Sequence, residues 1–321
     1  MLNQIYRRSQ FKELINKYEN FFFDCDGVLW KSSNIKIKHA FEALDALKNE
    51  GKNVFFISNN CMRSRRVIQE RLKNFGFETT QDHIHLSSSL LAHYISREKK
   101  DIKKVYLIGM PGIVEEFRNH NIDILDSEEH NQKRITEHKD VEYMEIDKNI
   151  NAVVLGYNYN INYYKMCYAS LLMQENKAQF FASEDTPLIK FRNGRYMPSV
   201  GTLTQSLTYG LREKFPNSVQ KINLSKPSEY ALLQFVKDFK LELNKSVMIG
   251  DKIDTDLEMA KRANIDSVLV LTGETRENNL HEVKSLGDKY LSNHIIHVFM
   301  REFEFGFKNL RGYLVSKHFG L

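Results

Sequence analysis

Short apolar runs that end abruptly in polar residues and glycine mark both ends of the chain. Phe21-Phe22-Phe23 runs into Asp24-Cys25-Asp26-Gly27-Val28, the pattern of a buried strand with a polar edge beyond it. Over residues 38–50, apolar Ala40, Phe41, Leu44 and Leu47 recur at helical spacing, and Gly51 supplies the stop. Val54-Phe55-Phe56-Ile57 predicts a second buried strand ending at Ser58-Asn59-Asn60, and Val67, Ile68 and Leu72 predict a helix running to Gly76. Strand, helix, strand, helix in this order predicts a doubly wound parallel sheet. The pattern returns late in the chain. Ser246-Val247-Met248-Ile249 ends at Gly250-Asp251, a helix is expected over residues 256–263, and Ser267-Val268-Leu269-Val270-Leu271 is a further strand stopped by Gly273.

A separate block lies between these halves. Its clearest strands are Val105-Tyr106-Leu107-Ile108 and Ala152-Val153-Val154-Leu155, each followed by glycine, and the polar stretch over residues 123–151 reads as loop-rich. The expected organisation is a discontinuous α/β core, residues 1–102 and 206–321, with an inserted α/β domain over 103–205. No internal repeat is visible, and residues 293–321 are too weakly patterned to carry an assignment.

Composition narrows the class without choosing a function. The 321 residues are 42% hydrophobic and 27% charged, ordinary for a folded soluble protein of about two domains. Net charge is +5, spread along the chain with only short clusters such as Arg63-Ser64-Arg65-Arg66. A nucleic-acid binder gathers its charge into a stripe, whereas a mild positive field suits a small anionic substrate. Cys25, Cys61 and Cys167 are odd in number and lack CxxC spacing, which excludes a disulfide framework and a zinc site and fits a reducing compartment. Residues 1–20 lack the apolar core of a signal peptide, and no run reaches the ~20 residues that span a bilayer. A cytoplasmic protein with no membrane or nucleic-acid partner is the expectation.

Ligands of open parallel sheets sit at the carboxyl ends of the strands, so the residues just past each strand are the candidates. Asp24 and Asp26 share one side of an extended chain. One carboxylate can attack phosphorus, splitting a difficult displacement into two easier ones; the second can protonate the leaving oxygen and later deprotonate water. Two turn-forming aspartates before Gly27 are the blander alternative. Ser58, Asn59 and Asn60 can hold phosphate oxygens through a hydroxyl and backbone N–H groups, or can simply cap a helix. Lys226, fixed by Pro227, can offset repulsion between a phosphoryl group and carboxylates, or can be a surface lysine. Asp251 completes an oxygen-rich site for a hard cation such as magnesium. Asp254 or Asp256 can cap the next helix or brace Asp251 and Lys226, with Asp256 the favoured bracing group. Each signal is modest, but four in this order at strand ends converge on phosphoryl chemistry.

The set Asp24-x-Asp26-Gly27-Val28, Ser58, Lys226 and Gly250-Asp251-x-x-x-x-Asp256 resembles the four motifs of the haloacid dehalogenase superfamily of phosphatases. The longer strings Asp24-Cys25-Asp26-Gly27-Val28-Leu29-Trp30, Ile57-Ser58-Asn59-Asn60, Ser225-Lys226-Pro227-Ser228 and Leu271-Thr272-Gly273 resemble its phosphoglycolate/pyridoxal phosphatase branch, also called 4-nitrophenylphosphatases. The resemblance covers about residues 15–290. It implies a Rossmann-like core with a large α/β cap, Asp24 as nucleophile and Asp26 as general acid/base. It further implies Mg2+ on Asp24, the Asp26 carbonyl and Asp251, phosphate on Ser58, Asn59, Asn60 and Lys226, and a homodimer through the cap. The chain departs from the branch at Gly156-Tyr157-Asn158, where Asp is common in place of Asn158, and at Ser225, where Gly is usual.

In the cap, Glu184-Asp185-Thr186-Pro187-Leu188 and Asn193-Gly194-Arg195-Tyr196 look closer to phosphoglycolate phosphatases, since pyridoxal phosphatases carry a histidine where Thr186 aligns. Asn193-Gly194 is also a plain hairpin turn signal. The expected substrates are 2-phosphoglycolate or phospholactate, with 4-nitrophenyl phosphate in vitro and pyridoxal 5′-phosphate as the alternative. A phosphoryl transferase and a non-catalytic phospho-ligand module are more distant readings. Cys25 and Cys61 flank the active-site strands, which raises oxidation as a question beside the simpler role of small buried residues.

Overall fold

The structure is a computed structural model that describes residues 2–4, 14–31, 35–191, 193–214, 221–275 and 296–299. In chain order the strands are β1 (Leu2–Gln4), β2 (Asn20–Phe23), β3 (Asn53–Ser58), β4 (Ile84–Leu86), β5 (Lys104–Ile108), β6 (Asp123–Asp126), β7 (Ile150–Leu155), β8 (Gln179–Ala182), β9 (Leu188–Lys190), β10 (Tyr196–Pro198), β11 (Lys221–Ile222), β12 (Ser246–Gly250), β13 (Asp266–Val270) and β14 (Ile296–Phe299). The longer helices are α1 (Ala40–Asn49), α2 (Arg65–Asn74), α3 (Ser87–Glu98), α4 (Pro111–Asn119), α5 (Tyr163–Glu175), α6 (Val200–Lys214) and α7 (Tyr230–Phe239), followed by the short α8 (Glu258–Arg262). Chain contacts divide these into two compact units, residues 1–58, 69–85 and 226–321, and residues 59–68 and 86–225.

The first unit is built on a seven-stranded sheet in the order β1-β14-β13-β12-β2-β3-β4. Pairing is parallel from β1 through to β3, with β4 at the edge. Central β2 is buried along its whole length between β12 and β3, which is why it reads as an unbroken apolar run rather than an alternating one. Phe22 stacks on Phe55 at 5.2 Å, and Phe235 of α7 packs against both. Helix α1 buries Ala40, Phe41, Ala43, Leu44, Ala46 and Leu47, and Gly51 at φ +73° ends it.

The second unit carries a five-stranded sheet, β11-β8-β7-β5-β6, in which every pairing is parallel. It contains all of residues 103–205 and extends beyond them on both sides, because α3 and α6 pack with this sheet rather than with the other. Tyr94 of α3 meets Phe181 of β8, and Leu207 and Leu211 of α6 join its core. The stretch over residues 123–151, expected to be loop, opens with the edge strand β6 and includes short helical turns at Ser127–His130 and Lys139–Glu142. Half-buried edge positions give β6 too little apolar signal to be read from sequence. β9 and β10 pair as an antiparallel hairpin, with Gly194 between them at φ +80° and Arg195 N–H donating to Asn193 Oδ1 at 3.2 Å.

Of residues 293–321, only β14 lies within the described residues; the rest of that stretch lies outside them. No helix among the described residues is long and apolar enough to cross a membrane.

Candidate active site

Asp24, Asp26, Ser58 and Asp251 sit at or just past the carboxyl ends of strands in the first unit's sheet, and Lys226 and Asp256 meet Asp24 there. Asp24 directly follows β2, and its N–H still pairs with the Ile249 carbonyl of β12 at 2.9 Å. The chain then turns sharply: Leu29 N–H reaches back to the Cys25 carbonyl at 2.8 Å and Gly27 N–H to the Trp30 carbonyl at 2.8 Å. Gly27 has φ +89°, and a Cβ there would lie 2.4 Å from Asp251 Oδ2, so backbone angle and space both demand glycine. Gly250 closes β12 under steric pressure alone, since a Cβ would meet Asp256 Cβ at 2.2 Å.

Lys226 organises the centre. Its Nζ donates to Asp24 Oδ1 at 2.5 Å, to Asp256 Oδ1 at 2.6 Å and to the Ile57 carbonyl at 3.3 Å. The other Asp256 oxygen accepts the Lys252 N–H at 3.1 Å. Asp251 Oδ2 accepts the Glu274 N–H at 2.6 Å. Asp24, Asp251 and Asp256 each bring a carboxylate oxygen within 4.8 Å of the others, and all three residues are buried.

Three crowded carboxylates around one ammonium leave negative charge in excess. Desolvation pushes the Asp24 carboxyl up, with Lys226 opposing and Asp26 adding to it. Asp251 is driven well above the ordinary carboxylate range by burial and by Asp24 and Asp256. Asp256, more closely held by Lys226, rises to about 6, again chiefly through burial. Burial pulls Lys226 down, but the two carboxylates outweigh it and its net shift is upward. A hard divalent cation relieves this imbalance. The donor set fits one: oxygen only, buried, and anionic beyond what Lys226 offsets. Both Asp256 oxygens are already engaged by N–H donors, which leaves it bracing Lys226 and makes Asp24 and Asp251 the candidate ligand carboxylates. The Asp26 carboxylate is not in the acidic group. Its Oδ1 accepts the Trp30 indole N–H at 2.9 Å, and the Arg71 guanidinium lies 5.1 Å above the Trp30 ring. Asp26 keeps an open face to solvent although protein surrounds the carboxyl closely enough to raise its pKa; the Trp30 hydrogen bond and the Arg71 charge oppose that rise.

Ser58 ends β3 and is buried. Asn59 and Asn60 follow it, in the segment that clusters with the second unit. There the Asn59 carbonyl accepts the Ser87 hydroxyl at 3.0 Å, and Asn60 Oδ1 accepts the N–H groups of Met62 and Arg63, both at 3.0 Å. The Asn60 side chain thus caps its own loop. Cys25 and Cys61 are enclosed. Burial beside Asp24 and Asp26 pushes the Cys25 thiol up, and burial with Glu184 nearby pushes Cys61 up to about 11. Thiols held protonated in this way react poorly with oxidants.

Sequence reasoning gave no role to Trp30 or to the segment after β13. Trp30 is the chain's one tryptophan and stands four residues past Asp26, a spacing that carries no signal until the turn at Gly27 folds it back.

This arrangement coincides with a known class. The family model described as haloacid dehalogenase-like hydrolase matches residues 21–123, and one described as HAD hydrolase-like matches residues 223–296. Phosphoglycolate phosphatase 2 of Arabidopsis thaliana is 34% identical over 284 residues, 87% of this chain and 91% of that protein. The 4-nitrophenylphosphatase of Schizosaccharomyces pombe is 27% identical, over 88% of this chain and 93% of its own length. Among solved structures, p-nitrophenyl phosphatase from Archaeoglobus fulgidus superposes with a TM-score of 0.70 at 27% identity, covering 88% of this chain and 96% of that one. The chain belongs to the haloacid dehalogenase-like hydrolases. Within them it is a phosphatase, close to the phosphoglycolate phosphatases and 4-nitrophenylphosphatases.

Proposed function

We propose that the chain is a magnesium-dependent phosphomonoesterase that works through an aspartyl phosphate on Asp24 and takes small phosphorylated metabolites, 2-phosphoglycolate and 2-phospholactate first among them. The observation that carries the reading is the buried Asp24–Lys226–Asp256 network with Asp251 beside it. The likeness to a phosphatase named for phosphoglycolate supports the substrate class, and so does Thr186 in the cap loop.

Asp24 attacks phosphorus, forming an acyl phosphate as the bond to the ester oxygen breaks. Asp26, protonated at the start, gives its proton to that departing oxygen; its raised pKa and open face suit a proton donor. The resulting Asp26 carboxylate takes a proton from water, whose oxygen attacks phosphorus and releases inorganic phosphate and free Asp24. Lys226 keeps Asp24 oriented and, with Ser58, Asn59 and Asn60, holds the phosphoryl oxygens. Trp30 holds Asp26 by its indole N–H. Asp24, Asp251 and the Asp26 carbonyl would bind Mg2+, which supplies charge neutralisation at the phosphoryl group when bound. The second unit acts as the cap that selects substrate, and a homodimer through this cap in the cytoplasm completes the reading.

Phosphate release from a panel of 2-phosphoglycolate, 2-phospholactate, pyridoxal 5′-phosphate, sugar phosphates and nitrophenyl phosphate, with magnesium or a chelator, tests it. Magnesium-dependent turnover strongest on the two small acids is expected. Strongest turnover of pyridoxal 5′-phosphate overturns the substrate assignment alone. Turnover of none of them overturns the hydrolase mechanism.

A further inference from the structure

Thr272, Gly273 and Glu274 follow β13 at the carboxyl edge of the core sheet and take no part in the steps above. Their backbone nevertheless touches both halves of the acidic centre. Glu274 N–H donates to Asp251 Oδ2 at 2.6 Å, and Thr275 N–H to the Asp251 carbonyl at 3.1 Å. Thr272 Oγ1 donates to the Gly27 carbonyl at 2.5 Å. A Cβ on Gly273 would lie 1.8 Å from Asp251 Oδ2 and 2.8 Å from Gly27 Cα; one on Gly27 would lie 2.4 Å from the same Asp251 oxygen. Two glycines and one N–H therefore enclose a single carboxylate oxygen, with the threonine hydroxyl fastening the turn to the loop that carries Asp26.

This enclosure has a physical purpose. Asp24 and Asp256 repel Asp251, and an unrestrained aspartate would rotate away from them. A fixed N–H holds the carboxylate inward, and two missing side chains leave it the room to stay. Groups that orient ligands from outside the ligand set commonly change metal affinity by ~10–100-fold.

We infer that residues 272–274 are the positioning element of the metal site: Gly273 and the Glu274 N–H aim Asp251, and the Thr272 hydroxyl sets the Gly27 end of the Asp24–Gly27 loop. The inference rests on the metal reading proposed above. Thr272→Val removes the hydroxyl at nearly constant shape. Thr272→Ser keeps it. Gly273→Ala puts a methyl where the Asp251 carboxylate lies.

The test is Mg2+ titration of each full-length protein by calorimetry without substrate, alongside the melting temperature of the metal-free form. Thr272→Val and Gly273→Ala are expected to weaken Mg2+ binding by ~10–100-fold; the metal-free melting temperature stays near wild type in Thr272→Val and falls in Gly273→Ala, whose methyl also meets the Gly27 backbone. Thr272→Ser is expected to retain wild-type binding. In turnover assays, Thr272→Val should need more Mg2+ for half-activation while kcat recovers at saturating metal. Variants that bind Mg2+ as tightly as the wild type overturn this inference alone. Equal loss in Thr272→Ser and Thr272→Val overturns the role of the hydroxyl. A wild-type protein that binds no Mg2+ overturns the metal reading and the inference together.

Discussion

Each of the two units buries a lysine, and the surroundings shift the two lysines' pKa values in opposite directions. Lys226 in the first unit faces Asp24 and Asp256, and their charges raise its pKa despite burial. Lys165 of α5 in the second is fully enclosed, donates to Asn131 Oδ1 at 2.5 Å and to the Asn160 carbonyl at 3.0 Å, and has its pKa lowered, chiefly by desolvation. Neutral acceptors satisfy Lys165 and tie loops together; anionic partners make Lys226 part of a charged centre. Both sheets are parallel and wrapped by helices, so architecture does not separate them. The residues at the strand ends do.

The second unit also contains a buried ion pair of structural type. Glu116 accepts Arg65 N–H at 2.5 Å and Arg65 Nε at 3.0 Å, pinning the start of α2. Such a pair is closed upon itself, one carboxylate against one guanidinium. The first unit's centre is not closed: three buried carboxylates crowd one ammonium, and the Glu274 N–H holds Asp251 Oδ2 in place beside them. Surplus buried charge of this kind is a mark of a functional site rather than of a stabilising one.

The comparison breaks most sharply at Asp24. Asp24→Asn is expected to lower turnover by roughly 10⁴-fold or more while far-UV circular dichroism stays native, because an amide is a poor nucleophile; near-normal turnover would end the covalent mechanism. The paired lysine variants come next. Lys226→Met should cost about 10²-fold or more in kcat. Lys165→Met should leave turnover intact and cost about 1–3 kcal/mol of stability through acceptors left without a donor, read by urea unfolding. Comparable loss of activity in both variants would erase the distinction drawn between the two buried lysines.

Asp26→Asn sharpens the acid role. It should slow leaving-group release from alkyl phosphates by ~10²–10⁴-fold and the first burst of nitrophenolate far less, since nitrophenolate leaves without a proton; equal losses in single-turnover release count against Asp26 as the acid.

The smallest effect concerns His130 of the second unit. His130 donates to or accepts from Tyr106 Oη at 2.9 Å and lies among Tyr106, Tyr164 and Tyr168. Burial lowers its pKa, and the charges of Lys133 and Lys165 lower it further. The unfolded chain then binds the proton more readily than the folded one. Stability contributed by neutral His130 is present above the ordinary value of ~6.5 and is lost as pH falls through the lower folded value. His83 is shifted the same way by burial and adds to the slope. Melting temperatures between pH 7.5 and 5.5 should fall less in His130→Gln than in the wild type; identical slopes would remove His130 as a contributor.

How much of this was legible in the chain follows from where each signal resides. Buried parallel strands announce themselves by apolar runs, so β2, β3, β12 and β13 and the residues after them could be read directly. Asp24, Asp26, Ser58, Lys226 and Asp251 were singled out as candidates because each stands beside such a run or a proline. Short or half-exposed strands such as β6 and the helices α3 and α6 were harder, since their partners lie in another part of the chain. The second unit therefore begins and ends away from residues 103–205.

Sequence by itself determined the fold class, the strand-end chemistry and the family resemblance, because local hydrophobic period and short motifs encode them. Only the tertiary structure decided that Lys226 reaches Asp24 across 202 residues of chain, that Trp30 turns back onto Asp26, and that Gly273 leaves room for the Asp251 carboxylate. Those are long-range steric and electrostatic relations, and no local pattern carries them until the sheet brings the loops together.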